Sequence, residues 1–402
     1  MGRYLNPTNT GFKMVLKSPI YVDKTRMIER LNQVVGTYEP MICVSRPRRF
    51  GKSIAVNMLA AYYSRGCQSK DLFRGLKISE SNTFTEHLNQ YHVIRMDMQQ
   101  MLGEAQNASK SQSEKGMIRF VENMVIEELA EEFPEVPRVK EGSLAAAISR
   151  INSKCGVQFI VLIDEWDAVF RNFMNDEQLQ KEYIDFLRSL FKGIVAEECI
   201  ALAYITGILP IKKYGTQSAL NNFKEYTMIE PKWMAEYVGF TESEVSGLCQ
   251  EYSVNFEDLK KWYDGYHLKN VGDIYNPRSV VETMIEGEFG SYWTSTETYE
   301  SLKNYIVMNF DGLKSAVTQL IAGDNIPVNT VRFQNDMTSL NSRDDVLSLF
   351  IHLGYLGYDE KTEAVFIPNE EVKREFVNAI EDTGWTEVIE ALENSEQLME
   401  DT

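Results

Sequence analysis

Two short stretches carry the residue types that handle phosphate and metal. The first is Arg46-Pro47-Arg48-Arg49-Phe50-Gly51-Lys52-Ser53 and the second is Asp164-Glu165. In the first, a lysine and a hydroxyl follow a glycine at the end of a basic turn. Free backbone N–H groups at a helix N-terminus point at an anion, and the helix dipole adds to the attraction. At these positions Lys52 reaches the β- and γ-phosphates of a nucleotide and the Ser53 hydroxyl ligates Mg2+. The layout is that of a P-loop, or Walker A motif, with one departure: Arg46 stands where the full pattern has glycine. Pro47 also removes one N–H from the cradle. Arg46, Pro47, Arg48, Arg49, Phe50, Gly51, Lys52 and Ser53 form the candidate cofactor-binding loop.

In the second stretch, four apolar residues, Ile160 to Ile163, lead into two carboxylates, a Walker-B pattern. Asp164 is expected to hold Mg2+ with Ser53, because that ion takes hard oxygen ligands in octahedral geometry. Glu165 is expected to position or deprotonate an attacking water, so that Glu165 and Lys52 are the catalytic candidates. Either motif alone is weak. Together, in strand contexts, they point to ATP and Mg2+. The chain has no Asn-Lys-x-Asp guanine reader, which favours ATP over GTP.

These side chains need strands that end at one sheet edge. Met41 to Val44 predicts a strand before the loop, and Ile54 to Tyr63 an apolar helix after it. Val157 to Ile163 is a continuous apolar run, as in a strand buried on both faces of a parallel sheet. Ile200 to Ile205 is a second such run, ending in Thr206-Gly207, and Val93 to Asp97 a third, shorter one. Helical periodicity fills the intervals at 117–133, 144–155 and 176–195, whereas 103–115 reads as an exposed loop or a helix start. The alternation predicts an α/β fold: a mostly parallel sheet flanked by helices over residues 1–225, its ligands bound outside the carboxyl ends of the strands. Residues 226–310 read as a mostly helical, lid-like domain. Thr241 and Glu244 there form a capping box. Residues 311–402 read as a winged-helix-like unit: a helix at 344–353, a hairpin from Tyr355 to Pro368, a helix from Glu370, and a helical acidic tail from Glu387.

Further candidates carry two readings each. Thr206 either senses the γ-phosphate or simply ends its strand. Arg48 and Arg49 contact phosphates, reach a neighbouring subunit's nucleotide, or pair with acidic side chains. Lys212 and Lys213 are basic candidates near the same sheet edge. Asp97 and the aromatic group Trp262, Tyr263 and Tyr266 are expected to be structural.

Composition narrows the class. The 402 residues are 44% hydrophobic and 25% charged, an ordinary globular balance. The net charge is −18, yet residues 1–78 hold 14 Lys and Arg against 4 Asp and Glu. A basic segment around a phosphate loop suits a polyanionic small ligand, and the acidic remainder disfavours a broad grip on nucleic acid. The five scattered cysteines predict reduced thiols, and no run is long enough to span a membrane. The opening residues lack the apolar centre of a signal peptide. A cytoplasmic location follows as the expectation.

The runs Tyr21-Val22-Asp23-Lys24-Thr25, Arg46 to Ser53, Leu162-Ile163-Asp164-Glu165 and Ile205-Thr206-Gly207 together resemble the prokaryotic AAA-ATPase-like family. Trp262-Tyr263-Asp264-Gly265-Tyr266, Tyr275-Asn276-Pro277 and Ile367-Pro368-Asn369-Glu370 extend the resemblance over most of the chain. The resemblance implies a P-loop ATPase, often fused to a C-terminal PD-(D/E)XK nuclease, and it makes the Arg-Pro-Arg-Arg loop the family's own variant. The nuclease is not carried over, because the residues after Trp385 hold neither a Glu-x-Lys nor a strand-like run. Three expectations result: an ATP-hydrolysing protein that couples nucleotide state to domain rearrangement; a non-hydrolysing switch or scaffold; or the ATPase part of a DNA-acting system. A protein partner or a homo-oligomer is compatible with these readings, and nucleic acid is a candidate partner that the net charge does not support.

Overall fold

A computed structural model describes residues 2–109, 116–211, 220–268, 271–293, 302–303, 305–306, 310–333 and 340–383. Lys212, Lys213 and the tail from Glu387 lie outside the described residues. The chain divides into two compact units. The first comprises Met1–Arg46 with Gly51–Thr227, and the second Pro47–Phe50 with Met228–Thr402.

The first unit is built on five strands: β1 (Met41–Ser45), β2 (His92–Asp97), β3 (Phe159–Asp164), β4 (Ile200–Gly207) and β5 (Lys224–Tyr226). They lie in the order β2-β3-β4-β1-β5, and every neighbouring pair is parallel. β1, β3 and β4 are buried along their whole length, which is why they lack apolar–polar alternation. Helices supply the crossovers that parallel pairing requires. Lys52–Tyr63 follows β1, Met98–Ser109 follows β2, and Glu177–Phe191 lies between β3 and β4. The Met98–Ser109 helix takes in residues 103–109 of the ambiguous polar stretch, and 110–115 lie outside the described residues. Asp97 accepts the Gln100 N–H at its start, and Met98, Met101, Leu102 and Ala105 form its buried face.

Two features of this unit escape sequence periodicity. β5 is only three residues long and pairs with β1. The N-terminal segment covers the exposed edge of β2. There Asn6 N donates to Val93 O at 2.7 Å, and Arg95 N to Tyr4 O at 2.7 Å. The Glu128 carboxylate accepts the backbone N–H groups of Arg3, Tyr4 and Leu5 at 2.7–2.9 Å. Together these blunt an edge that would otherwise present unpaired backbone groups.

The second unit mixes helices with two small antiparallel sheets. The 226–310 stretch has helices Glu242–Tyr252, Phe256–Tyr263 and Pro277–Glu286, and also a sheet of Phe240–Thr241, Gly272–Tyr275 and Tyr266–Leu268. The capping box at Thr241 is present. The expected hairpin forms as Gly357–Asp359 with Ala364–Phe366, joined by Ile326–Pro327 as a third strand. Tyr263 and Tyr266 are core residues. Phe50 packs edge-on against Tyr266, with centroids 5.6 Å apart, and the Trp293 indole donates to Arg48 O at 3.2 Å.

Candidate nucleotide site

The registers of the sheet bring the candidate residues together. Asp97 on β2 stands opposite Asp164 on β3, Asp164 opposite Thr206 on β4, and Thr206 opposite Val44 on β1. This row lies at the carboxyl ends of four adjacent strands. It arises because the apolar runs of β2, β3 and β4 give way to polar residues at the same level of the sheet, with Asp164 and Thr206 still buried.

β1 runs into the loop at Ser45. Arg46 is wholly buried, and its Nη1 donates to Ser45 O at 2.9 Å and to Tyr226 O at 3.2 Å. Burial lowers its pKa to about 10. Its Nε and Nη2 are buried with no hydrogen-bond partner among the described residues. The loop turns through two left-handed residues, Arg49 at φ +66° and Gly51 at φ +91°. A Cβ on Gly51 would meet nothing within 4 Å, so conformation rather than space selects glycine there. Lys52 begins the helix with its side chain buried, and Nζ donates to Arg46 O at 3.1 Å. Burial lowers the Lys52 pKa, against the pull of Glu165, Asp164 and Asp167.

Asp164 is buried, and burial pushes its carboxyl up to about 6, with Ser53 and Lys52 opposing the rise. Ser53 is the second residue of the helix that follows the loop. Among the described residues no group of three or more His, Cys, Asp and Glu could hold a metal alone. A hydroxyl and a carboxylate nevertheless fit Mg2+, which retains several waters and draws other ligands from phosphate.

Glu165 sits at φ +51°, a left-handed conformation unusual for this residue type. Its N–H donates to Asp164 Oδ1 at 3.0 Å, and its carboxylate accepts from Arg171 Nη2. Arg171 Nε lies 3.2 Å from Asp167 Oδ2. Asp167 is fully buried, and the same oxygen accepts Ile208 N at 3.0 Å and Leu209 N at 2.8 Å. Thr206 is fully buried as well, with its hydroxyl donating to Val44 O at 2.9 Å. The side chains of Asp167 and Arg171 were not singled out as site residues from sequence. Their spacing of four along a helix is the signal that pairs them.

The loop, the Asp-Glu pair at the end of β3 and the strand order are features of a nucleotide-binding sheet, and a family profile described as "Predicted AAA-ATPase" matches residues 11–216. The chain belongs to the AAA-ATPase-like family. A curated relative of this AAA-ATPase-like chain is described as "Uncharacterized protein in vnfD 5'region", from Azotobacter chroococcum mcd 1. It is 26% identical over 282 residues, which are 69% of this chain and 51% of the relative. The chain thus spans about half the length of the curated relative it matches. Among solved structures, Cdc6p from Pyrobaculum aerophilum aligns over 93% of this chain and 98% of its own, at 9% identity and a TM-score of 0.30. C. elegans PCH-2 aligns over 92% and 72%, at 12% identity and a TM-score of 0.25. At these scores neither adds to the fold, which stands on the observed strand order. As an AAA-ATPase-like protein the chain is of the nucleotide-binding type. None of its described helices is long and apolar enough to cross a membrane.

Proposed function

We propose that this chain is a Mg2+-dependent ATPase. The row of strand ends carries the reading: Asp164 closes β3 opposite Thr206, and β1 beside them leads into the loop and the helix that opens with buried Lys52 and then Ser53. Ser53 and Asp164 supply the two protein oxygens that would share a metal. Bound Mg2+ would neutralise phosphate charge and fix the β- and γ-oxygens. Lys52 exchanges the Arg46 carbonyl for phosphate oxygens. The backbone from Arg46 to Gly51 cradles the phosphates, and Arg46, Arg48 and Arg49 add positive charge. Glu165 orients the attacking water and accepts its proton. Thr206 lies in the same row and would meet the γ-phosphate once its hydroxyl leaves Val44 O.

In this reading, nucleotide state changes the conformation of Pro47–Phe50 and with it the packing of those residues against Tyr266 and Trp293 in the second unit. Residues 226–310 would serve as a helical lid, and 311–402 as a winged-helix-like unit that meets a protein partner or a second copy. A cytoplasmic setting suits the buried thiols, Cys43, Cys67, Cys199 and Cys249.

Purified protein with Mg-ATP is expected to release phosphate. Glu165→Gln should retain ATP and lose turnover by at least about 100-fold, the scale of general-base catalysis. Lys52→Ala should lose ATP affinity, and unchanged affinity would remove the P-loop assignment. A second reading, a nucleotide-dependent switch without turnover, is favoured by one observation: the Glu165 carboxylate is already engaged by Arg171. Wild-type turnover no faster than that of Glu165→Gln, with ATP bound to both, selects the switch. The third reading, the ATPase part of a DNA-acting system, is disfavoured by the −18 charge.

A further inference from the structure

Arg171 contacts two carboxylates that are not equivalent. Asp167 is fully buried and already accepts two backbone N–H groups, from Ile208 and Leu209. Glu165 is held differently. Its side chain is 24% exposed against 9% for Arg171, and its carboxylate meets Arg171 Nη2. The guanidinium is thus ion-paired with Asp167 through Nε, outside hydrogen-bond geometry, and hydrogen-bonded to Glu165 through Nη2. A planar fork suits this bridging, since it offers several donors in a fixed geometry.

The consequence for chemistry is direct. A carboxylate can take a proton from water only with an oxygen lone pair turned to that water. An arginine donor on that carboxylate occupies a lone pair and fixes the direction in which the group points. The short helix Ala168–Asn172 holds Arg171 in place, with its N–H on Asp167 O at 3.2 Å. The Asp167 anchor reaches the exit of β4, where Gly207 lies against it. A Cβ on Gly207 would come within 2.6 Å of Asp167 Oδ1. Arg171 is among the groups that help lower the Lys52 pKa, after burial.

We propose that Arg171 is a positioning residue that keeps hold of the Glu165 carboxylate in the nucleotide-bound protein and so sets the basal rate of hydrolysis. The proposal rests on the ATPase reading above. The two cations and three carboxylates of this cluster, Lys52, Arg171, Asp164, Glu165 and Asp167, sum to one net negative charge.

The test is steady-state phosphate release by the full chain across wild type, Arg171→Met and Arg171→Lys, with ATP affinity measured alongside. Met keeps the apolar stem and removes both contacts. Lys keeps a point charge for Asp167 and loses the second arm. Restraint predicts that kcat rises about tenfold in Arg171→Met, a change worth about 1.4 kcal/mol, with KM within about twofold of wild type. Arg171→Lys should lie between the two. A purely structural Arg171 would instead lower the thermal midpoint and leave kcat per folded molecule unchanged. If Arg171→Met does not fold, Arg171→Lys decides the question: a raised kcat supports restraint, and an unchanged or lowered kcat overturns it. Turnover in wild type without gain in the folded variants sinks the restraint alone. ATP binding with no turnover in wild type or either variant sinks the ATPase reading and the restraint together. A silent wild type with an active Arg171→Met supports both.

Discussion

Asp167 and Gly207 show how closely the residues around Glu165 are fitted. Gly207 lies in an ordinary region of backbone space, so its identity follows from crowding and not from φ. An added methyl would meet Asp167 Oδ1 at 2.6 Å and Trp166 Cδ1 at 2.8 Å. Neither neighbour yields easily, since both side chains are buried and Asp167 also binds two backbone N–H groups. Gly207→Ala is therefore expected to cost about 1–3 kcal/mol, the usual range for overpacking. Displacing Asp167 also disturbs the anchor of Arg171. The variant should show a lowered urea midpoint and, at temperatures where it remains folded, an altered kcat. Unchanged values of both would mean that the turn relaxes without moving Asp167. Arg46 is a different case at the same scale. Sequence marks it as a broken Walker A position. In the structure its guanidinium binds the Ser45 and Tyr226 carbonyls, which ties the loop to the last residue of β5. No pattern in the sequence names the Tyr226 carbonyl as that partner, because it depends on how a three-residue strand is placed.

Strands and helices were legible in proportion to how much periodicity they carry. β1, β3 and β4 are uninterrupted apolar runs and were located within one or two residues. The helices at 117–132 and 144–155 follow from their apolar spacing. β5, Lys-Glu-Tyr, is too short to show any period, and only its pairing with β1 makes it a strand. The site divides in the same way. Lys52, Ser53, Asp164 and Glu165 lie at motif spacing and meet at one sheet edge. Arg171 is invisible to a motif, since its contact with Glu165 depends on the left-handed backbone at that residue. The strap over β2 was equally hidden, because it forms a bridge and not a full strand. One of its fastenings is Glu128, which accepts three consecutive backbone N–H groups. Glu128→Ala would leave those donors to water and expose the β2 edge. Hydrogen exchange at residues 3–6 should accelerate by at least about tenfold, and stability should fall by about 1–3 kcal/mol, as for hydrogen bonds to a charged acceptor. Protection unchanged at those amides would show that the backbone bonds to Val93 and Arg95 suffice.

At the scale of the whole molecule, the second unit contains a buried carboxylate whose ionisation is coupled to its packing. Glu371 is 2% exposed and accepts Trp293 N at 2.7 Å and Ser279 Oγ at 2.8 Å. Burial pushes its carboxyl from 4.5 up to about 7, outweighing those donors, and Glu375 nearby adds to the rise. The raised value means that the folded unit holds this proton more tightly than the unfolded chain does. Stability from Glu371 is therefore full below pH 4.5, where both states are protonated. It is lost as pH rises from 4.5 to about 7, and the loss is complete above 7. The whole effect is at most about 3 kcal/mol. Glu371 orders the backbone of Trp293, whose indole binds the Arg48 carbonyl, and Gly354 lies against Pro47 nearby. Four of the five tryptophans, Trp233, Trp262, Trp293 and Trp385, fall within 228–402, so tryptophan fluorescence chiefly follows the second unit. Urea midpoints read by fluorescence should fall between pH 5 and pH 7.5 in the wild type. Glu371→Gln keeps a carbonyl for Trp293 N and cannot ionise, so it should remove that slope and match or exceed the wild type at pH 7.5. An equal slope in both proteins would place the titration at another group and leave Glu371 with only its hydrogen bonds to Trp293 and Ser279.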